Sequence, residues 1–132
     1  MTVHHHAVVW IDHRTAKLFY LGLEATDERI IHAKLAEKHL HHKANAIGAG
    51  KAQEDPTFFP RIDEALSDCE AVLILGPGVE KTLLLKHLAE DRHAHKGRGL
   101  HAETSDHPID REIIALGRHY FHLGEPVREM GT

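Results

Sequence analysis

A short apolar run, a glycine-rich turn and an amphipathic segment follow one another over residues 71–88, and this succession constrains the fold most strongly. The run Ala71–Leu75 has the length and composition of a strand that is buried on both faces. The segment Gly76–Gly78 ends it, because proline cannot donate a ladder hydrogen bond and glycine permits a sharp turn. Leu84 and Leu88 then recur at helical spacing between charged residues. A buried strand, a tight turn and a helix are typical of an α/β domain.

The rest of the chain adds further elements to this unit. Ala7–Ile11 and Ala16–Leu21 are apolar enough to predict a β-hairpin whose first strand is central. Residues 24–43 suit either a helix, by the spacing of Ile31 and Leu35, or a third antiparallel strand over about residues 29–35, and the preceding hairpin favours the strand. The remaining predictions are helices that open near Asp55–Thr57 and near Asp106–Asp110, and a short strand over Leu100–Thr104. The order β-β-β-α-β-α-β-α predicts an α/β fold with a ribonuclease H-like mixed sheet and helices on both faces.

Length and composition bound the class of protein. A chain of 132 residues predicts a single domain over residues 1–132, with a core over about residues 6–122 and a loose tail over 124–132. The net charge of -4 argues against a protein that binds nucleic acid by bulk charge, but it is compatible with a local basic patch. The single cysteine, Cys69, cannot form an internal disulfide, and no apolar run approaches the roughly 20 residues of a membrane span. We therefore expect a cytoplasmic protein without membrane association.

A weakly periodic segment over residues 41–54 is the first candidate site. The stretch from His32 to Lys51 contains four lysines and one acidic residue, and two glycines give its backbone conformational freedom. Long segments of this kind are often functional, and a local positive charge suits contacts with phosphates. A solvated charged loop is the other interpretation of the same residues. The candidate RNA contacts are His41, His42, Lys43, Gly48, Gly50 and Lys51.

The 15 histidines and three aspartates suggest a second class of site. In an extended chain His39 and His41 would lie on one side, where imidazole could bind a divalent metal ion. Asp12, Asp106 and Asp110 could hold metal ions for hydrolysis, although aspartate is also common in turns and at helix starts. A metal-binding protein or metal-dependent hydrolase is therefore the alternative hypothesis. The first interpretation needs no cofactor.

Two stretches resemble a known group of proteins. AVVWIDHRTAKLFYL, residues 7–21, resembles the opening hairpin of the middle domain of archaeal and eukaryotic class 1 release factors and of Pelota. AVLILGPGVEKTLLLKHL, residues 71–88, resembles a later strand, turn and helix of that domain. The resemblance is closest to small stand-alone bacterial translational machinery proteins and covers about residues 6–122. The motifs that carry it are His41–Lys43, Gly48–Lys51, Gly76–Gly78 and Asp106–Asp110.

One motif departs from this group. Release factors carry Gly-Gly-Gln in a long loop, whereas residues 48–53 read Gly-Ala-Gly-Lys-Ala-Gln and lack the contiguous triplet. The resemblance implies a partner, the ribosome or structured RNA. The absence of the triplet argues against peptidyl-tRNA hydrolysis. We expect a non-enzymatic protein that contacts RNA through residues 41–53. A strand at an open sheet edge would also make a homodimer unsurprising.

Overall fold

The computed structural model describes residues 5–23, 25–35, 53–91 and 97–123. Within these ranges the chain forms strands and helices in the order predicted from the sequence. Their bounds are β1 His6–Ile11, β2 Thr15–Leu21, β3 Thr26–His32, α1 Phe58–Ala65, β4 Ala71–Gly76, α2 Glu80–Glu90, β5 Gly99–Thr104 and α3 Asp110–Tyr120.

The described strands form one mixed sheet in the order β3-β2-β1-β4-β5. β2 runs antiparallel to both of its neighbours, whereas β4 is parallel to β1 and to β5. β1 therefore lies at the centre, as the hairpin interpretation predicted. The predicted ribonuclease H-like α/β fold is confirmed.

The third strand was predicted correctly in kind but too late in the chain. β3 begins at Thr26, where the prediction began at residue 29. The backbone N–H of Gly22 donates to the carbonyl of Ala25 over 2.8 Å, which closes a tight turn directly after β2. The chain therefore returns at once, and Thr26 pairs with Leu21 at the start of the new ladder.

The two faces of the sheet have separate hydrophobic cores. On one face the helices α1 and α2 pack Phe58 and Leu84 against the sheet. On the other face α3 packs Ile113 against side chains such as Val8 of β1. A Cβ atom on Gly117 would lie 2.9 Å from the side chain of Val8, so glycine is what allows α3 to approach this closely.

The buried tryptophan on β1 connects the sheet to the segment before α3. Trp10 is 4% exposed, and its indole N–H donates to the carbonyl oxygen of Asp106 over 2.7 Å. Trp10 therefore belongs to the core, and its indole has a polar anchor that the sequence pattern does not indicate. In the described ranges, no helix has the length and apolar character needed to span a membrane.

Candidate functional site at the base of the 36–52 segment

The buried carboxylate of Asp55 joins the two ends of the long segment between β3 and α1. Asp55 is 4% exposed. Its Oδ2 atom accepts hydrogen bonds from the backbone N–H of Lys34 at 2.7 Å and from the Arg61 guanidinium at 2.8 Å. Its Oδ1 atom accepts hydrogen bonds from the backbone N–H and the hydroxyl of Thr57 at 2.8 and 2.7 Å. Lys34 and Asp55 thus hold residues before and after the segment at a fixed separation.

The ionised form of Asp55 is strongly favoured in this setting. Burial alone would raise the pKa of the carboxyl group, but the hydrogen bonds from Lys34, Thr57 and Arg61 outweigh it and hold the pKa well below its ordinary value. Arg61 also donates to the carbonyl oxygen of His32 over 2.9 Å, which ties the start of α1 to the end of β3. We call the set Lys34, Asp55, Thr57 and Arg61 the Asp55 clamp.

Gln53 makes a second attachment, to the turn between β1 and β2 and to the start of α2. Its amide N–H group donates to Glu80 Oε2 and to the carbonyl oxygen of His13, the latter over 3.3 Å. Its amide oxygen accepts a 3.0 Å hydrogen bond from the backbone N–H of Asp55. Both ends of the Gln53 amide are therefore engaged within the fold.

Glu80, the first residue of α2, is the buried acid to which Gln53 is attached. It is 4% exposed, and its Oε1 atom has no hydrogen-bond partner among the described residues. Burial raises the pKa of Glu80, while hydrogen bonds from Gln53 and the nearby His13 act in the opposite direction. His13 Nδ1 lies 3.6 Å from Glu80 Oε2. Burial thus favours the protonated form of Glu80 more than in an exposed glutamate.

A cleft of about 340 Å³ opens beside this pair, at the carboxyl ends of β1 and β4. In open α/β sheets, ligands commonly bind outside the carboxyl ends of strands. The residues that line the cleft are Asp12, His13, Pro77, Gly78, Val79 and Glu80. Its walls combine apolar surface with two acidic side chains, Asp12 and Glu80, which disfavour the binding of a phosphate group.

The predicted RNA-contacting residues lie outside the described ranges. These residues are His41, His42, Lys43, Gly48, Gly50 and Lys51, together with the weaker metal candidate His39. Their assignment stays a prediction. The structure fixes only the two attachments that flank them, at the Asp55 clamp and at Gln53.

Two of the three aspartates proposed as metal ligands use their carboxylates in other contacts. Asp12 Oδ1 accepts hydrogen bonds from the backbone N–H groups of Arg14 and Thr15 at 2.9 and 2.8 Å, which forms the hairpin turn. Asp110 pairs with Lys17 over 3.0 Å, and Asp106 contributes its backbone carbonyl to Trp10. Over residues 5–23, 25–35, 53–91 and 97–123, no group of three or more His, Cys, Asp or Glu side chains could hold a metal ion. The metal hypothesis gains no support from these ranges.

The residues that organise this site were not found from sequence. Asp55 was interpreted only as a helix start, although an Asp with a Thr two residues later is a local signal for a side-chain turn. Glu80 stands at the start of a helix, and no local sequence pattern indicates that it is buried. Its burial depends on Gln53 and His13, which lie 27 and 67 positions earlier in the chain.

Comparison with known proteins places this geometry in a known fold. No protein-family model and no curated protein matches the chain. The solved structure of Pelota from Archaeoglobus fulgidus is similar, with a TM-score of 0.59 and 14% identity, over 86% of this chain and 30% of that one. The chain shares its fold with part of Pelota. Pelota from Thermoplasma acidophilum matches 78% of this chain and 28% of its own, at 17% identity and a TM-score of 0.50.

A third similar structure is archaeal translation termination factor aRF1, with a TM-score of 0.47 and 10% identity over 89% of this chain and 40% of that one. The resemblance expected from the sequence is thus confirmed at the level of the fold, through the two Pelota structures. This chain spans less than a third of either Pelota chain.

Proposed function

We propose that this chain is a non-enzymatic protein of the translational machinery that contacts the ribosome or structured RNA through residues 41–53. The observation that carries the proposal is the Asp55 clamp. A 2.7 Å hydrogen bond from Lys34 to Asp55 closes the base of the segment that holds the candidate basic residues. A segment with fixed ends loses less conformational entropy on binding than a free chain, which favours its use as a contact.

Charge and fold agree with this role. Residues 32–51 carry four lysines and one acidic residue in a chain whose net charge is -4, so electrostatic attraction to RNA would be local to the segment. The fold shared with part of Pelota, and the resemblance to release factors, favour a partner in the translational machinery. Such a partner implies a cytoplasmic location.

The position of Gln53 supports a non-catalytic role. Release factors carry a glutamine in their Gly-Gly-Gln triplet. Gln53 is the only glutamine in this sequence and hence the only candidate counterpart of that residue. Its amide is engaged with Glu80, His13 and Asp55 at the base of the segment. It would have to leave three hydrogen-bond partners before it could orient a water molecule for attack.

The test is co-sedimentation of the pure protein with salt-washed bacterial ribosomes over a series of salt concentrations. We expect binding that weakens as salt rises, because phosphate contacts release counterions. The double variant Lys43→Glu, Lys51→Glu should bind at least about tenfold more weakly. The matched control, Lys86→Glu with Arg111→Glu, makes the same change in net charge at two exposed helix positions and should bind like the unaltered protein.

Two results would contradict the proposal. Absence of binding at low salt would remove the ribosome as a partner, and an equal loss in both double variants would show that only bulk charge matters. A parallel sample with a chelator tests the metal hypothesis, since loss of binding only in the chelator would favour metal dependence over lysine contacts.

A further inference from the structure

Among the described strands, none pairs with the outer edge of β5. β5 is the last strand of the sheet in the described ranges, and its inner side pairs with β4. The backbone N–H of Gly99 donates to the carbonyl of Glu70, the residue before β4, over 2.8 Å, and that of Ser105 donates to the carbonyl of Gly76 in β4 over 2.9 Å. In a parallel pair, alternate residues face the same neighbour. The N–H and C=O groups of Leu100, Ala102 and Thr104 therefore point away from the sheet.

The two edges of the sheet, as the described residues form it, differ in the side chains that discourage pairing with another strand. β3 carries Asp27, Glu28 and Arg29 at consecutive exposed positions, and closely spaced charges oppose pairing with another strand. Arg118 also donates to Thr26 Oγ1 at the start of β3, over 3.1 Å. β5 has the sequence GLHAET, with one imidazole and one carboxylate among small or apolar residues and no lysine or proline. β5 thus lacks the lysine and proline residues that commonly prevent an edge strand from pairing with another chain.

We propose that β5 pairs with β5 of a second copy of this chain, antiparallel, about a two-fold axis at Ala102. In this register Ala102 exchanges two hydrogen bonds with the partner's Ala102, and Leu100 lies opposite the partner's Thr104. All three outward-facing residues of each strand then find hydrogen-bond partners. The two five-stranded sheets join into one.

The side chains are self-complementary in the same register. His101 lies opposite the partner's Glu103, and Glu103 lies opposite the partner's His101. These are non-hydrogen-bonded pairs, in which opposing side chains approach most closely. Within one copy His101 Nε2 already contacts Glu103 Oε2 at 3.0 Å, so the dimer forms a four-membered cluster of alternating imidazoles and carboxylates.

The axis position follows from charge. An axis at residue 101 would place two imidazoles opposite each other, and an axis at residue 103 would oppose two carboxylates, which is destabilising. Tyr120 stacks on His101 with a ring separation of 5.3 Å and is 41% exposed. It supplies apolar surface beside the strand that a second copy would cover.

The first test is the molar mass of the full chain in solution, measured by light scattering and sedimentation equilibrium over a range of concentrations. We expect a mass that rises with concentration from 14.8 kDa to twice that value. The substitution Ala102→Pro should abolish the rise, because proline removes an outward N–H that the β4 ladder does not use. Circular dichroism should show that this variant stays folded. A monomer at every concentration, or a dimer that survives Ala102→Pro, would overturn the proposal.

Charge variants test the register independently of proline. Glu103→Lys alone places lysine opposite the partner's His101, and His101→Glu alone places two carboxylates opposite each other, so each variant should be monomeric. When the two variants are mixed, every cross-strand pair is of opposite charge, and a heterodimer should form. Failure of the mixture to associate, while the unaltered chain dimerises, would place the interface in another register or on another surface.

Discussion

The carboxylate of Asp55 accepts a 2.7 Å hydrogen bond from the backbone N–H of Lys34, a residue 21 positions earlier in the chain. This contact closes the segment that lies between β3 and α1, and ordering of so long a connection opposes folding. The carboxylate gains four hydrogen bonds in exchange for its hydration. Because these donors all point to one buried group, Asp55 is the centre of the clamp, beside the separate attachments that Gln53 and Arg61 make to Glu80 and to the carbonyl oxygen of His32.

Replacement of Asp55 by alanine is therefore expected to lower the free energy of unfolding by about 3–5 kcal/mol, since it leaves the guanidinium of Arg61 and two backbone N–H groups without their acceptor. Urea unfolding followed by circular dichroism measures the change. The control is Glu54→Ala, at the exposed neighbouring position, which should alter stability by less than about 0.5 kcal/mol. Equal effects of the two substitutions would argue against the clamp.

The stability that Asp55 supplies should also depend on pH in a defined direction. Its pKa in the folded protein lies below the ordinary value of 3.8. The contribution is therefore fully present above pH 4 and is lost as the pH falls further and the carboxylate is protonated. The difference in unfolding free energy between the unaltered protein and Asp55→Asn should shrink below pH 4. A difference that stays constant down to pH 2 would contradict this assignment.

The two glycines of the Gly76–Gly78 turn are expected to differ sharply. A Cβ atom on Gly76 would lie 2.3 Å from the carbonyl oxygen of Ile11, whereas one on Gly78 would have no neighbour within 4 Å. Gly76→Ala must push β4 away from β1 and should cost about 3 kcal/mol or more. Gly78→Ala should be nearly neutral. Thermal unfolding of both variants checks the contrast, and similar melting temperatures would show that the strands adapt.

The fold could be predicted from sequence because its signals are local. The apolar runs at Ala7–Ile11 and Ala71–Leu75 are buried strands, and the Gly-Pro-Gly turn separates strand from helix as expected. Asp12 was correctly assigned to a hairpin turn, since the turn is made by its own neighbours. The start of β3 was misplaced, because Thr26–Glu28 are polar residues that form a strand through pairing with β2 and not through an apolar pattern.

The candidate site could be predicted only in part, because its organising contacts are distant in sequence. No residue close to Glu80 in the sequence indicates that Gln53 and His13 will contact its carboxyl group. Its sequence context, directly after a turn and before a helix, is that of an exposed capping acid. The basic residues of the 41–53 segment, by contrast, were recognisable from composition alone, and they stay a prediction.

The thiol of Cys69 is expected to be unreactive in the folded protein. It is fully buried, and burial raises its pKa to about 11. Because the thiolate is the reactive form, labelling with an aromatic disulfide at pH 8 should be at least about a hundredfold slower than in urea-unfolded protein. Rapid labelling without denaturant would indicate that the end of α1 opens readily.

Asp63 on α1 is expected to make stability fall as the pH rises from about 4 to about 6. Burial raises the pKa of Asp63 to about 6, helped by a hydrogen bond and charge repulsion from Asp91 and opposed by Arg98 at 3.4 Å. The folded protein thus binds the proton more tightly than the unfolded chain, whose value is near 3.8. This contribution is fully present below pH 4 and is lost as the pH rises through 6.

The variant Asp63→Asn keeps the side-chain shape but cannot ionise, so it should lack this part of the pH dependence. Relative to the unaltered protein, it should be more stable at pH 7 than at pH 4, as measured by urea unfolding at each pH. Asp68→Asn, at an exposed position just beyond α1, serves as the control for general charge effects. If the two variants changed with pH in parallel, the buried carboxyl group of Asp63 would not be the source, because only Asp63 loses its hydration when the chain folds.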